Sequence, residues 1–308
     1  MGPKVKSRSG RGATFGLLLT VSLALSAPAI ARAHEIEFGS PHYYGDCTIG
    51  SDGGNANTAH GFNYVRSPRM KGARGLITAR ALQPCTNGTD VFVSKSFVWA
   101  ADLQGTGSNG VFQFVQFGIG KARNAPGYFS ASCGAAWEND QTYFVWTGFG
   151  AGTDGNVCPA AWVDFDNDGV MDHPVGGRNY LMSIQEWEGG APTFKNLWRY
   201  AITDQVTGLT EVTYQTRSSS DGGIKSAQSA WWGCEVGDNA NAMGVRNGDG
   251  DVKVQQTAYL PASDPSAWVY TENSTIIPQW NGLPWYYTAN LNQTGLGESF
   301  SCRTLSHQ

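Results

Sequence analysis

Asp164-Phe-Asp166-Asn-Asp168-Gly169-Val170-Met-Asp172 is the stretch of this 308-residue chain whose spacing points most directly to chemistry. Carboxylates at its first, third, fifth and ninth positions, with a turn glycine at the sixth, reproduce the front of a calcium-binding loop. Four carboxylates this close repel one another unless a cation or protons neutralise them. The bidentate Glu that would close such a loop is missing, because the twelfth position is Val175, so another part of the chain has to complete the shell. The pattern predicts a structural calcium ion held by Asp164, Asp166, Asp168, the Val170 carbonyl and Asp172. The plainer alternative is an acidic turn that stays solvated.

Two further polar residues stand inside apolar runs. Glu235 lies in Ala230-Trp-Trp-Gly-Cys-Glu-Val236, where a lone charge is costly. Two-residue alternation puts it on the face of Trp231 and Gly233, opposite Trp232 and Cys234. A half-buried Glu tends towards a raised pKa, which suits acid/base work; an edge-strand Glu reaching water is the other reading. Gln116 lies in Val111-Phe-Gln-Phe-Val-Gln-Phe-Gly-Ile119. There Phe112, Phe114, Gln116 and Gly118 share one face, and Gln113, Val115, Phe117 and Ile119 the other. Both faces are mostly apolar, as on a central strand, and a buried Gln amide needs partners, either in the core or in a site. Glu186 and Glu188 share a face at what reads as a solvated strand end.

Histidine and cysteine offer less. His34, His42, His60, His173 and His307 show no metal-ligand spacing, and no G-x-S-x-G elbow is present. His60 reads as an ordinary loop residue. Cys47, Cys85, Cys133, Cys158, Cys234 and Cys302 are even in number and form no C-x-x-C pair, which speaks against zinc or redox chemistry. Three disulfides are expected, and nearest-neighbour pairing (Cys47–Cys85, Cys133–Cys158, Cys234–Cys302) is the simplest of the possible connectivities.

The compartment follows from the N-terminus. Lys4, Lys6, Arg8 and Arg11 precede an apolar run from Ala13 to about Ile30, and Ala31-Arg32-Ala33 has the small residues a signal peptidase reads. The run is too short and wrongly flanked for a stable membrane span. Residues 1–33 are expected to be a signal peptide, and 34–308 a single secreted, extracellular domain. Removing the five cations before His34 leaves 16 Lys and Arg against 25 acids, a net charge of −9. Such a chain, with no cluster of cations, is not built for nucleic acid, and no further long apolar segment suggests a membrane. A monomer is expected.

Forty glycines, 12% aromatics and only 15% charged residues fit a β-rich extracellular protein, and helical periodicity is absent beyond the leader. Strand-like runs fall at Leu76–Leu82, Val91–Trp99, Val111–Ile119, Thr142–Phe149, Tyr180–Trp187 and Leu197–Thr203. They continue at Glu211–Gln215, Ser229–Val236, Val252–Leu260, Ala267–Thr271 and Trp285–Ala289. His34–Tyr64 reads as irregular. The expected fold is all-β, a disulfide-stapled antiparallel sandwich or barrel.

The runs Val115-Gln116-Phe-Gly118 and Tyr143-Phe-Val-Trp146 resemble the Gln-x-Gly strand and following aromatic strand of the glutamic peptidases called eqolisins. Ala230-Trp-Trp232-Gly-Cys-Glu235 is similar to that family's Trp-x-x-Glu strand, and Tyr200–Gly208 resembles its hairpin. These motifs span Arg74 to Met243 in the family's order. The resemblance implies a bent antiparallel double-sheet sandwich of concanavalin-like or jelly-roll type, with Gln116 and Glu235 on adjacent strands of a concave face. It implies Glu235 as general base on water, and Gln116 as the group holding that water and stabilising the oxyanion. Val236 and Cys234 flank the Glu differently from the family pattern, and the acidic loop is not a family feature.

The expected activity is therefore a secreted hydrolase, an acid-acting endopeptidase with a polypeptide substrate. The alternative is a non-catalytic module binding polysaccharide, with Trp280, Trp285, Tyr286 and Tyr287 as platforms, or a structural protein. A glycosidase lacks a second carboxylate to pair with Glu235.

Overall fold

Alternating apolar residues set the strands, and one proline decides where the sheet changes partners. The computed structural model describes residues 59–80, 82–84, 94–107, 112–123, 141–147, 157–187, 197–216, 224–237, 243–244, 252–272, 275–280, 287–294 and 297–304; over parts of these, including 59–68 and 234–237, it describes the backbone alone. The elements are β1 (Ala59–Thr78), β2 (Gln83–Pro84), β3 (Ser94–Gly107), β4 (Phe112–Arg123), β5 (Thr142–Thr147), β6 (Val157–Pro159), β7 (Asn179–Trp187) and β8 (Leu197–Asp204). They continue with β9 (Thr210–Thr216), β10 (Ile224–Gly237), β11 (Met243–Gly244), β12 (Val252–Pro261), β13 (Val269–Tyr270), β14 (Thr275–Trp280), β15 (Tyr287–Thr294) and β16 (Gly297–Thr304). The protein is all-β, and its strands form one curled antiparallel sheet of 14 strands plus the small pair β11–β2. Among the described residues no helix is long and apolar enough to cross a membrane.

The main path of the sheet runs β15-β16-β12-β1-β10-β3-β4-β5-β6. The first half of β1 pairs with β10 and β14, and its second half with β12 and β7. The exchange falls at Ser67-Pro68-Arg69, where the register with β10 shifts between Arg66 and Met70. Pro68 has no N–H to give to a ladder, so a continuous central pairing through it is impossible. From β1 the sheet branches through β7 to β8 and β9.

Strand boundaries depart from expectation where a neighbour imposes them. His34–Tyr64 was expected to be irregular, but Ala59–Tyr64 is strand, paired on both sides by Val236–Trp231 and Trp280–Thr275. His60 accordingly sits in a strand and not in a loop. β3 runs on through Gly105-Thr-Gly107 because β4 and β10 bond it from either side, which outweighs the weak strand preference of glycine. β6, β14 and β16 were not anticipated.

One core joins the branches. Val98, Ala100, Val115, Phe117, Ile119 and Phe144 cluster with Met182, Ile184, Trp198, Tyr200, Ile202 and Trp232. Phe117 meets Tyr200 edge-on at 5.7 Å and Phe144 meets Tyr180 at 4.9 Å. In β7 the burial alternates strictly, with Tyr180, Met182, Ile184 and Glu186 inward. Glu186 is therefore not at a solvated strand end: it is 8% exposed and reaches Arg69 at 3.5 Å, a partner 117 residues away. Cys158 is disulfide-bonded; the other five cysteines' side chains, and residues 1–33, lie outside what is described.

Tyr180 offers a test of this packing. Burial, partly offset by the Val175 N–H that its hydroxyl accepts, pushes its phenol from 10.0 up to about 12. The folded state favours the neutral phenol, so this contribution to stability is complete below pH 10 and is lost as pH rises through about 12. Tyr180→Phe should flatten the fall in unfolding midpoint over that window; a slope identical to wild type would refute the assignment.

Candidate active site

Gln116 lies on β4, an interior strand between β3 and β5, and Glu235 on β10, an interior strand between β1 and β3. The edge-strand reading of Glu235 is thereby excluded. So is the expectation that Gln116 and Glu235 occupy adjacent strands, because β3 runs between them. Their rows are clear from the register. Gln116 stands opposite Asp102, which stands opposite Trp231. Gly120 stands opposite Phe97, Phe97 opposite Glu235, and Glu235 opposite His60.

Both rows belong to the face turned away from the core. Val115, Phe117 and Ile119 are core residues, as are Val98 and Trp232, so Gln116, Gly118 and Gly120 on β4 and Trp231, Gly233 and Glu235 on β10 take the other face. At two strand spacings across and four residues along, positions 116 and 235 lie roughly 16 Å apart on a flat ladder. An intervening group, not a direct hydrogen bond, would have to connect them.

The strand between them carries a residue that alternation hides. The register of β3 slips between Trp99 and Ala101 against β4, and β10 shows the same slip between Trp231 and Gly233. Ala100 is the extra residue of a β-bulge. Trp99 and Asp102, three residues apart, therefore share a face. Asp102 is fully buried; its Oδ2 accepts the Gln116 Nε2 at 3.0 Å and the Gln104 Nε2 at 3.1 Å. Gln116 is itself 7% exposed. Beside this cluster the rings of Phe97 and Trp99 stack at 5.2 Å, on residues paired with Gly120 and Gly118. Trp231, on the same face, donates its Nε1 to the Ser229 Oγ at 2.9 Å.

The acidic loop connects β6 to β7. Asp164 accepts from the Asp168 N–H at 3.1 Å and the Gly169 N–H at 2.8 Å, and Asp172 accepts from the Phe165 N–H at 2.6 Å. Asn167 and Gly169 take φ of 57° and 85°, the left-handed turn that Asn and Gly tolerate best. Oxygens of Asp164, Asp166 and Asp172 lie within 4.8 Å of one another. Asp168 is not among them: its Oδ1 folds back onto the Val170 N–H at 2.8 Å. Across a calcium ion two oxygens stand about 4.8 Å apart, so the trio has the span such an ion needs, and its all-oxygen character suits a hard cation. Glu211 of β9 lies near enough that burial, then repulsion from Asp164 and Asp172, raises its pKa. It contributes none of the grouped ligand oxygens, which among the described residues come from Asp164, Asp166 and Asp172 alone.

Comparison with protein-family models finds no match, and neither does comparison with curated proteins. Among solved structures the chain is similar to scytalido-glutamic peptidase bound to a transition state analog inhibitor, at TM-score 0.47 and 9% identity over 81% of this chain and 98% of that one. It is also similar to SCP-B, a member of the eqolisin family of peptidases in complex with the tripeptide Ala-Ile-His, at TM-score 0.45 and 9% identity over the same shares. The eqolisin-like runs of this sequence fall on β4 (Val115–Gly118), β5 (Tyr143–Trp146) and β10 (Ala230–Glu235). The eqolisin-like segment Tyr200–Gly208 covers the end of β8 and the start of the turn to β9. There Asp204 caps the Val206 N–H at 2.8 Å and accepts Arg178 Nη1 at 3.0 Å, while Gly208 takes φ 74°. Of the aromatic platform, the side chains of Trp280, Trp285, Tyr286 and Tyr287 lie outside the described residues.

Proposed function

We propose that the chain beginning near His34 is a secreted endopeptidase that works in mild acid, with a polypeptide substrate and a Gln116/Glu235 pair. In this reading the curled sheet is a double-sheet sandwich held by three disulfides. What supports it is the register: Gln116 and position 235 fall on one face, on interior strands, directed away from the hydrophobic core. Glu235, ionised, removes a proton from a water molecule lying between the two residues, the resulting hydroxide adds to the peptide carbonyl, and the protonated Glu235 returns that proton to the leaving amine as the C–N bond breaks. The Gln116 amide, which remains neutral in acid, donates to the oxygen on which charge develops. The two positions stand roughly 16 Å apart on a flat ladder, so in this reading the curl of the sheet shortens the gap to what the water and the substrate carbonyl span. The test is incubation of the mature protein with a denatured protein substrate from acidic to neutral pH, with the products identified by mass spectrometry. Cleavage confined to the acidic side is expected. No cleavage at any pH, accompanied by polysaccharide binding, would overturn the reading in favour of a binding module.

Calcium is proposed as a structural ion at Asp164, Asp166 and Asp172, with Asp168 and the Val170 carbonyl turning inward on binding. An ion bound by the native state alone raises apparent stability by mass action, by about 2.7 kcal/mol at a hundredfold excess over Kd. The melting midpoint should fall when excess chelator replaces calcium, and Asp166→Asn should abolish that difference. A midpoint indifferent to calcium would remove the site.

A further inference from the structure

We infer that Asp102 is the positioning residue that fixes the amide of Gln116, an inference resting on the role proposed for Gln116 above. A carboxylate only accepts hydrogen bonds, whereas the two ends of a glutamine amide differ: Nε2 donates and Oε1 accepts. A Gln in an indifferent environment can present either end. At Gln116 the choice is made, because Nε2 stands 3.0 Å from Asp102 Oδ2. Turning the amide over would set Oε1 against a buried carboxylate and convert a charge-assisted hydrogen bond into repulsion.

Asp102 is itself held. Gln104, two residues along the same strand and on the same face, donates to the same Oδ2 at 3.1 Å. Asp102 is fully buried, on a strand bonded on both sides. A buried carboxylate is tolerated only with donors directed at it, and the amides of Gln104 and Gln116 are two such donors. With one N–H of Nε2 committed to Asp102, Nε2 is fixed on the carboxylate side and Oε1 points away from it. The bulge at Ala100 makes this possible. Without it Asp102 would fall on the core face and Gln116 would have an alanine opposite.

The test has two arms on the mature chain. The first needs no catalysis: the side-chain amide of Gln116, identified as the NMR signal missing in Gln116→Leu, should show two widely separated proton shifts and slow exchange in wild type. The second is Asp102→Asn, which keeps size but lets either end of Gln116 be accepted. Its kcat should fall roughly 10- to 100-fold, as when other orienting partners are removed, with KM and melting midpoint close to wild type. A purely structural residue would lower the midpoint and leave kcat per folded molecule unchanged. If the chain cleaves nothing, the peptidase reading falls while the NMR arm still decides the Asp102–Gln116 bond. An amide that exchanges like a surface glutamine, or Asp102→Asn with undiminished kcat, overturns the inference.

Discussion

Glu235→Gln should abolish peptide cleavage, and Gln116→Ala should lower kcat by about 10²–10³. The two effects differ because the two groups do different things. Glu235 is the only proposed acceptor for the proton of the attacking water, and an amide in its place cannot take that proton, so nothing remains to generate the nucleophile. Gln116 contributes one donor to a charge that exists mainly in the transition state, and losing it should reach kcat far more than KM. Glu235→Gln is isosteric and should melt near wild type, whereas Gln116→Ala also removes a donor from the buried Asp102 and should lower the midpoint, so its kcat is read per folded molecule. Initial rates on one peptide, with circular dichroism as a check on folding, separate the cases. Cleavage surviving undiminished in Glu235→Gln would place the base elsewhere, and His60, directly opposite Glu235 across the β1–β10 ladder, would be examined next.

How far the sequence reveals this site depends on whether pleat alternation is unbroken. On β4 it is: Val115, Phe117 and Ile119 are core while Gln116 and Gly118 are not, as period-two reading requires. On β10 it separates Trp232, which is core, from Trp231, which is not. On β3 it fails. From Phe97 and Trp99, strict alternation puts Asp102 on the wrong face, and only the register shows the extra residue at Ala100. The small residues Ala100-Ala101 are a faint signal of a bulge, too common to be read alone.

Long-range pairing is hidden for a different reason. A residue's neighbours along the chain say little about a partner a hundred residues away. Glu186 looks solvated beside Glu188, yet it faces inward and meets Arg69. Ala59–Tyr64 looks like a glycine-rich leader to the fold, yet two strands bond it into the sheet. In the acidic loop, by contrast, the turn is local chemistry: Asn167 and Gly169 adopt the left-handed backbone that their types permit. The spacing therefore located the loop, while the separation of Asp168 from the trio Asp164, Asp166 and Asp172 could come only from the tertiary structure.

Gly118→Ala should be the most destabilising small substitution near the site, and it explains why a glycine stands two residues after Gln116. A Cβ at Gly118 would overlap the Val98 carbonyl oxygen and crowd the Trp99 Cα at 3.0 Å. Neither is the movable end of a side chain. Both belong to the backbone of β3, whose ladder with β4 pairs Val98 with Ile119 and Trp99 with Gly118, and whose other edge is tied to β10. Room for a methyl can be made only by pushing two bonded strands apart, so the cost should lie at or above the usual overpacking range of about 1–3 kcal/mol. In a domain of this size about 3 kcal/mol lowers the melting midpoint by roughly 6–12 °C. Gly169→Ala is the control: its φ of 85° makes the substitution strained, but nothing lies within 4 Å of the new Cβ, so only the left-handed cost of about 1–2 kcal/mol applies. The same displacement of β3 would move Asp102 away from Gln116, so any Gly118→Ala protein that folds should also lose kcat. A midpoint within a degree of wild type would show that β3 and β4 are not as close as 3.0 Å at this position, and the row Gln116–Asp102–Trp231 would have to be redrawn.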